Sequence, residues 1–137
     1  MSSREIHSLL RRGHTPERDT RRIHELARAL ARERLHLGGR ARRPASDPDL
    51  LWSRDGVGYK VVTRTVSSLE DATTFEVAAS SDADYLLGVF LEKGSFRLLG
   101  IVQIAWPMVE WLGKAHGARW RLRWASESPI RGVAELL

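Results

Sequence analysis

The sequence predicts a mixed α+β (α/β) fold with a central mixed sheet flanked by N-terminal helices. Apolar residues recur at helical spacing in the first third of the chain, and the period changes to two after residue 48. A proline-led helix and a further strand follow late in the chain, which is the element order of an α+β or mixed α/β domain. A length of 137 residues, of which 42% are hydrophobic, is enough for one core.

Two helices are predicted at the N-terminus. Residues 3–12 suit a short helix that ends at Gly13. Thr15-Pro16-Glu17 is a helix start, because Thr is a favoured N-cap and Pro is favoured at the first helical position. We expect the second helix from about Pro16 to His36, with Gly38-Gly39 as its end signal. Its apolar stripe comprises Ile23, Leu26, Ala27, Leu30 and Leu35.

The remainder of the chain is predicted to be rich in strands. The expected strands are Asp49–Ser53, Gly58–Val66, Thr74–Ala79, Asp84–Glu92, Phe96–Ala105 and Arg119–Trp124. Arg54-Asp55-Gly56 is a hairpin turn, since Asp-Gly supplies the backbone geometry that such turns need. In the second strand, Lys60, Val62 and Arg64 fall on one face. A helix is expected from Pro107 to about Gly113, and another from Pro129 to Leu137.

Positive charge is concentrated in the N-terminal third. Residues 1–43 hold 12 Arg against 5 acids, a net of +7, whereas residues 44–137 hold 10 Lys and Arg against 12 acids, a net of −2. We interpret residues 1–43 as an Arg-rich helical arm packed on a core of residues 44–137, in a single domain overall. Such asymmetry favours a polyanionic partner, with DNA expected. The candidate nucleic-acid-binding residues are Arg18, Arg21, Arg22, Arg28, Arg32, Arg40, Arg42 and Arg43.

Several classes of protein are disfavoured by composition. The chain has no cysteine, so it has neither a disulfide framework nor a Cys-type zinc site. Its apolar runs are far shorter than a membrane span, and its start lacks the apolar stretch of a secretory signal. A cytoplasmic location without a membrane partner is therefore expected.

The ordered motifs carry a resemblance to a known family. They are residues 47–51 (DPDLL), Asp55-Gly56, residues 59–64 (YKVVTR), residues 84–89 (DYLLGV) and residues 120–123 (WRLR). In this order and spacing the chain resembles the restriction-endonuclease-like, or PD-(D/E)xK, superfamily, and more narrowly a group of small bacterial domains of that fold. The resemblance covers roughly residues 20–137.

The resemblance implies a site built around two strands. Nucleases of this family hydrolyse phosphodiesters with magnesium, which is held by a carboxylate on one strand and an acid two residues before a lysine on the next. Asp49 matches the first carboxylate, with Asp47 as the alternative. Lys60 stands at the position of the second acid, and Val62 stands at the position of the catalytic lysine. An ammonium group has donors only and cannot ligate a metal.

These departures predict a degenerate site formed by Asp49, Lys60 and Arg64, and no bound cofactor. The preferred hypothesis is a catalytically impaired nuclease-like protein that contacts DNA phosphates through its arginines. One alternative is an active endonuclease with magnesium on Asp49, in which Lys60 replaces the lost lysine and Glu25 or Glu33 lends a carboxylate. Another alternative is a homodimer or protein-docking module in which the apolar stripe of the second helix forms the interface.

Overall fold

The computed structural model describes residues 2–11, 16–41, 46–80 and 82–137, and only the backbone of residues 16–19. Helix α1 spans Ser3–Leu10, with Ser2 as its N-cap accepting a hydrogen bond from the Glu5 amide. Helix α2 spans Pro16–Leu35. It ends because His36 adopts the left-handed conformation, with φ of 55°, before the predicted stop at the glycines is reached.

The larger sheet has five strands in the order β1-β2-β4-β5-β8. Its strands are β1 (Leu51–Trp52), β2 (Gly58–Val66), β4 (Tyr85–Glu92), β5 (Leu98–Ala105) and β8 (Glu135–Leu136). Strands β2 and β4 are parallel, and the other neighbours in this sheet are antiparallel. The predicted hairpin turn joins β1 to β2, with Gly56 at a φ of 80°.

A second, antiparallel sheet has the order β3-β7-β6. Its strands are β3 (Thr73–Ala78), β6 (Lys114–His116) and β7 (Arg119–Trp124). Helix α3 (Trp106–Leu112) precedes β6, and helix α4 (Pro129–Val133) precedes β8. The prediction of a mixed α+β fold is confirmed, but the strands divide between two sheets rather than forming one central sheet.

Two hydrophobic cores lie on opposite faces of the larger sheet. Helices α1 and α2 cover one face, where Leu26 and Ala27 pack with Val61 and Val89. The smaller sheet, with α3 and α4, covers the other face through a core that includes Phe75, Phe90 and Trp124. Side chains alternate between these cores along β2 and β4, so the two faces predicted for β2 are confirmed.

Three local predictions were wrong, each through long-range pairing or backbone conformation. Strand β5 begins at Leu98 rather than Phe96, because Phe96 adopts a φ of 57° in the turn after β4. The last helix ends at Val133, and the chain then adds β8 to the edge of β5. Strand β1 is shorter than expected because Pro48 and Asp49 lie in a turn.

Gly88 allows the two sheets to approach each other. A Cβ atom at this position would lie 2.7 Å from the Phe75 ring and 3.0 Å from the Val102 side chain, both of which are buried. We expect Gly88→Ala to lower the free energy of unfolding by about 1–3 kcal/mol, because an overpacked core must shift its side chains. Gly38→Ala is the matched control, since a Cβ there meets nothing within 4 Å. Equal denaturant midpoints for the two variants would contradict this account.

Candidate functional site

Lys60, on strand β2, forms an ion pair with Asp47. The Lys60 ammonium donates to Asp47 Oδ2 at 2.7 Å, and each side chain is only 12% exposed. The other carboxylate oxygen of Asp47 accepts a hydrogen bond from the Asp49 amide at 3.0 Å. Asp47, the alternative in the sequence-based assignment, is therefore the carboxylate that meets Lys60.

A loop and two strand ends hold this pair in place. The Asp82 carboxylate accepts hydrogen bonds from the amides of Ser46 and Asp47, at 2.8 and 3.1 Å, which fixes the loop before β1. Asp84 in turn accepts a hydrogen bond from the Gly58 amide at 2.7 Å and donates its own amide to the Gly58 carbonyl. The carboxylates of Asp82 and Asp84 thus hold the loop before β1 next to the start of β2.

Asp49 lies at the rim of the cluster, where α2 approaches the loop. Arg28 donates a hydrogen bond to the Asp49 carbonyl oxygen at 2.5 Å. His24 lies one helical turn earlier, and the charges of Arg28, Asp49 and Lys60 all influence the pKa of its imidazole. Asp49 itself is exposed. The predicted trio is therefore divided: Asp49 and Lys60 belong to one cluster, which includes Asp47, His24 and Arg28.

Burial, hydrogen bonds and neighbouring charges shift the pKa values of Asp47 and His24. Burial raises the pKa of Asp47, but the hydrogen bonds from Lys60 and from the Asp49 amide outweigh it, so the pKa lies below its usual value. Loss of hydration and the nearby Arg28 guanidinium lower the pKa of the His24 imidazole. At neutral pH the Asp47 carboxyl is therefore ionised and the His24 imidazole is neutral.

Arg64 lies apart from this cluster, in a cleft. Its Nε donates to Oγ1 of Thr73, the first residue of β3, at 3.0 Å. Lys60, by contrast, pairs with Asp47. The cleft has a volume of about 570 Å³ and lies between α2 and the smaller sheet. Arg119 of β7 lines it together with Arg64 and His24.

The donor set of the cluster does not suit magnesium. Mg²⁺ requires oxygen ligands, and Lys60 already neutralises the Asp47 carboxylate. Glu33 accepts hydrogen bonds from the Ser3 amide and hydroxyl, so its side chain joins α1 to α2 instead of completing a metal site. Among the residues that the structure describes, no group of three or more His, Asp or Glu side chains is arranged to hold a metal ion.

The predicted nucleic-acid-binding arginines fall into three groups. Arg21, Arg32 and Arg40 are exposed. Arg22 donates to the Leu9 carbonyl at 3.5 Å, and Arg28 is held by the Asp49 carbonyl, so both make internal contacts. The side chain of Arg18, and the whole of Arg42 and Arg43, lie outside the described residues. Arg21, Arg28 and Arg32 share one face of α2 because they are spaced by whole turns.

Sequence reasoning missed two residues of this region, His24 and Arg119. His24 lies one turn before Arg28 on the polar side of α2, so helical spacing could have paired the two. No local signal places Arg119 beside Arg64, because the strands that carry them belong to different sheets.

No protein-family model matches this chain, and a search of the curated proteins found no similar sequence. None of the helices in the described part of the chain is both long enough and apolar enough to cross a membrane.

We expect Asp47 and Lys60 to be strongly coupled in a double-mutant cycle. Asp47→Asn or Lys60→Met leaves one half-buried charge without its partner, and each should cost about 1–3 kcal/mol of unfolding free energy. The double variant should cost clearly less than the sum of the two, measured by urea denaturation. Additive losses would show that the ion pair has no energetic consequence.

The lowered pKa of Asp47 makes its contribution depend on pH. The pKa is lower in the folded chain than in the unfolded chain, so the contribution is present above the unfolded value and is lost as pH falls through the folded value. The difference in unfolding free energy between wild type and Asp47→Asn should be full near pH 6 and shrink below about pH 4. Asp55→Asn, in the exposed β1–β2 turn, is the control, and an equal acid dependence there would contradict the assignment.

Proposed function

We propose that this chain is a DNA-binding protein of restriction-endonuclease-like type that contacts phosphates through α2 and has lost phosphodiester hydrolysis. The observation that carries the proposal is the row of arginines on one face of α2. Arg21 and Arg32 form no ion pair with any described residue, and Arg28 lies between them. Unpaired cations repeated along one helix face are the arrangement that neutralises successive phosphates.

The neighbouring cluster supports binding without cleavage. The Lys60–Asp47 ion pair stands where the family resemblance calls for a metal-binding acid. A carboxylate that is paired with an internal ammonium adds little repulsion toward an approaching phosphate, and it is not available to share a metal ion with Asp49. A lysine in place of an acid at position 60 would therefore remove the metal chemistry and make the surface more favourable to a polyanion. The proposal is consistent with a cytoplasmic location, where the chain would meet DNA.

The exposed arginines of α2 give a salt-dependent binding test. We expect a fluorescently labelled DNA duplex to bind with an affinity that falls by about 0.9 log units per log unit of salt for each phosphate neutralised. Arg21→Gln combined with Arg32→Gln should reduce that slope by about 2 and weaken binding at low salt. Anisotropy titrations between about 50 and 200 mM salt measure both quantities.

The matched control is Arg121→Gln combined with Arg123→Gln, which removes the same charge from the outer face of the smaller sheet. Both of these arginines are exposed and take part in surface ion pairs, which contribute little stability. An equal loss in the control would show that binding follows net charge rather than the α2 surface.

Cleavage of plasmid DNA with magnesium or manganese, absent with EDTA and abolished by Asp49→Ala, would overturn the proposed loss of phosphodiester hydrolysis.

A further inference from the structure

Strand β2 has an open edge along most of its length. Strand β1 pairs only with Gly58 and Tyr59, so residues 60–66 have a strand neighbour on the β4 side alone within the described chain. An edge of this kind presents backbone groups that another strand can pair with. No backbone hydrogen bond from residues 60–65 to the described chain lies outside the pairing with β4.

The direction of the free backbone groups follows from the bonds at the two ends of β2. The Gly58 carbonyl accepts from the Asp84 amide, and the Val66 carbonyl accepts from the Lys93 amide, both on the β4 side. Backbone groups of residues two apart in a strand point the same way. The amides and carbonyls of Val61, Thr63 and Thr65 therefore point to the open edge.

The cleft between α2 and the smaller sheet lies along this edge. It is lined by every residue from Val61 to Thr65. Because successive side chains alternate between the two faces of a sheet, a cleft that touches five consecutive residues must run beside the strand. Ile23 and His24 bound it on the α2 side, and Phe75 and Arg119 bound it on the side of the smaller sheet.

The chemistry of the edge favours a peptide strand over a nucleic acid. The odd-numbered residues present carbonyl oxygens to the cleft as well as amides, and a phosphodiester has acceptors only. A polyanion would therefore face these carbonyls without donating to them, whereas an extended peptide both donates and accepts. The geometry thus favours addition of a strand to the sheet.

The side chains around the cleft define the kind of peptide. Arg64 of β2 extends toward the smaller sheet, where it donates to Thr73, and Arg119 of β7 lines the same side of the cleft. Arg119 has no ion-pair partner in the described residues. Among the described residues that line the cleft, the acid Glu76 is 3.7 Å from the Arg121 guanidinium. On the opposite side, Ile23 offers a partly buried apolar surface. An added strand would direct alternate side chains to these two sides.

We propose that the open edge of β2 receives an extended segment of a partner protein whose side chains alternate between acidic and apolar. The acidic side chains face Arg64 and Arg119, and the apolar ones face Ile23. The backbone of the segment pairs with Val61, Thr63 and Thr65. None of Arg21, Arg28 and Arg32 lines the cleft, so the two surfaces can be tested with different variants.

The probe is a labelled peptide, acetyl-Glu-Val-Glu-Val-Glu-Val-amide, and its binding is followed by anisotropy and by amide hydrogen exchange. We expect saturable binding that slows exchange of the Val61, Thr63 and Thr65 amides by about tenfold. The amides of Val62 and Arg64, which point toward β4, are internal controls and should change little. The same peptide with every backbone amide N-methylated keeps its charge but has no backbone donors, and it should not bind.

Two kinds of variant separate the backbone contact from the charge contact. Thr65→Pro removes an amide that points to the open edge, where proline is tolerated, and should weaken peptide binding by about fivefold. Arg64→Gln combined with Arg119→Gln should weaken it by about tenfold at low salt. Arg34→Gln combined with Arg97→Gln, which removes two exposed arginines that do not line the cleft, should leave it unchanged. Thermal unfolding of each variant verifies that it remains folded. Arg21→Gln combined with Arg32→Gln, the DNA-binding variant, should not affect the peptide.

Three results would overturn the proposal. The first is the absence of saturable peptide binding. The second is binding that Thr65→Pro and N-methylation do not weaken. The third is protection of the same amides by a single-stranded oligonucleotide that displaces the peptide, which would assign the cleft to nucleic acid. Loss of DNA binding by the α2 variant with unchanged peptide binding would leave both proposals in place.

Discussion

The burial of β4 on both faces is the constraint on which the rest of the structure depends. Leu87 and Val89 point into the core under the helices, whereas Leu86 and Phe90 point into the core under the smaller sheet. Neither core closes without this strand, because it also supplies the parallel neighbour of β2 and the antiparallel neighbour of β5. A strand buried on both sides is necessarily a nearly continuous apolar run.

The position of the Asp47–Lys60 cluster follows from the start of β4. Asp84, the residue before β4, accepts a hydrogen bond from the Gly58 amide at the start of β2. Asp82 accepts a hydrogen bond from the Asp47 amide and so holds the loop that carries Asp47. Lys60 lies just beyond the last residue of β2 that β1 covers, so its ammonium reaches the loop rather than the cleft. Local charge compensation at this point gives a largely buried pair of opposite charges.

The early end of β1 links the cluster to the open edge. Pro48 and Asp49 form a turn that leads the chain away from β2, and Asp47 before this turn pairs with Lys60. Because β1 pairs only with Gly58 and Tyr59, the remainder of β2 has no strand neighbour on that side in the described chain. Helix α2 then borders both features, with Arg28 at the loop and Ile23 at the cleft. Helix α2 therefore adjoins both the Asp47–Lys60 cluster and the open edge of β2.

Local signals in the sequence were enough to predict the elements that carry their own patterns. The helix from Pro16, the hairpin turn at Gly56, the alternating faces of β2 and the apolar strand β4 all follow from caps, turn chemistry and periodicity, which act between residues close in the chain. The pairing of β8 with β5 and the division into two sheets depended on contacts between distant segments, for which the sequence holds no local pattern. For the same reason the sequence placed Asp49 and Arg64 with Lys60, whereas only the tertiary structure decided that Asp47 reaches the ammonium and that Arg64 and Arg119 line one cleft. Periodicity determines which face a side chain occupies, but the packing of distant strands and loops determines which side chain lies opposite it.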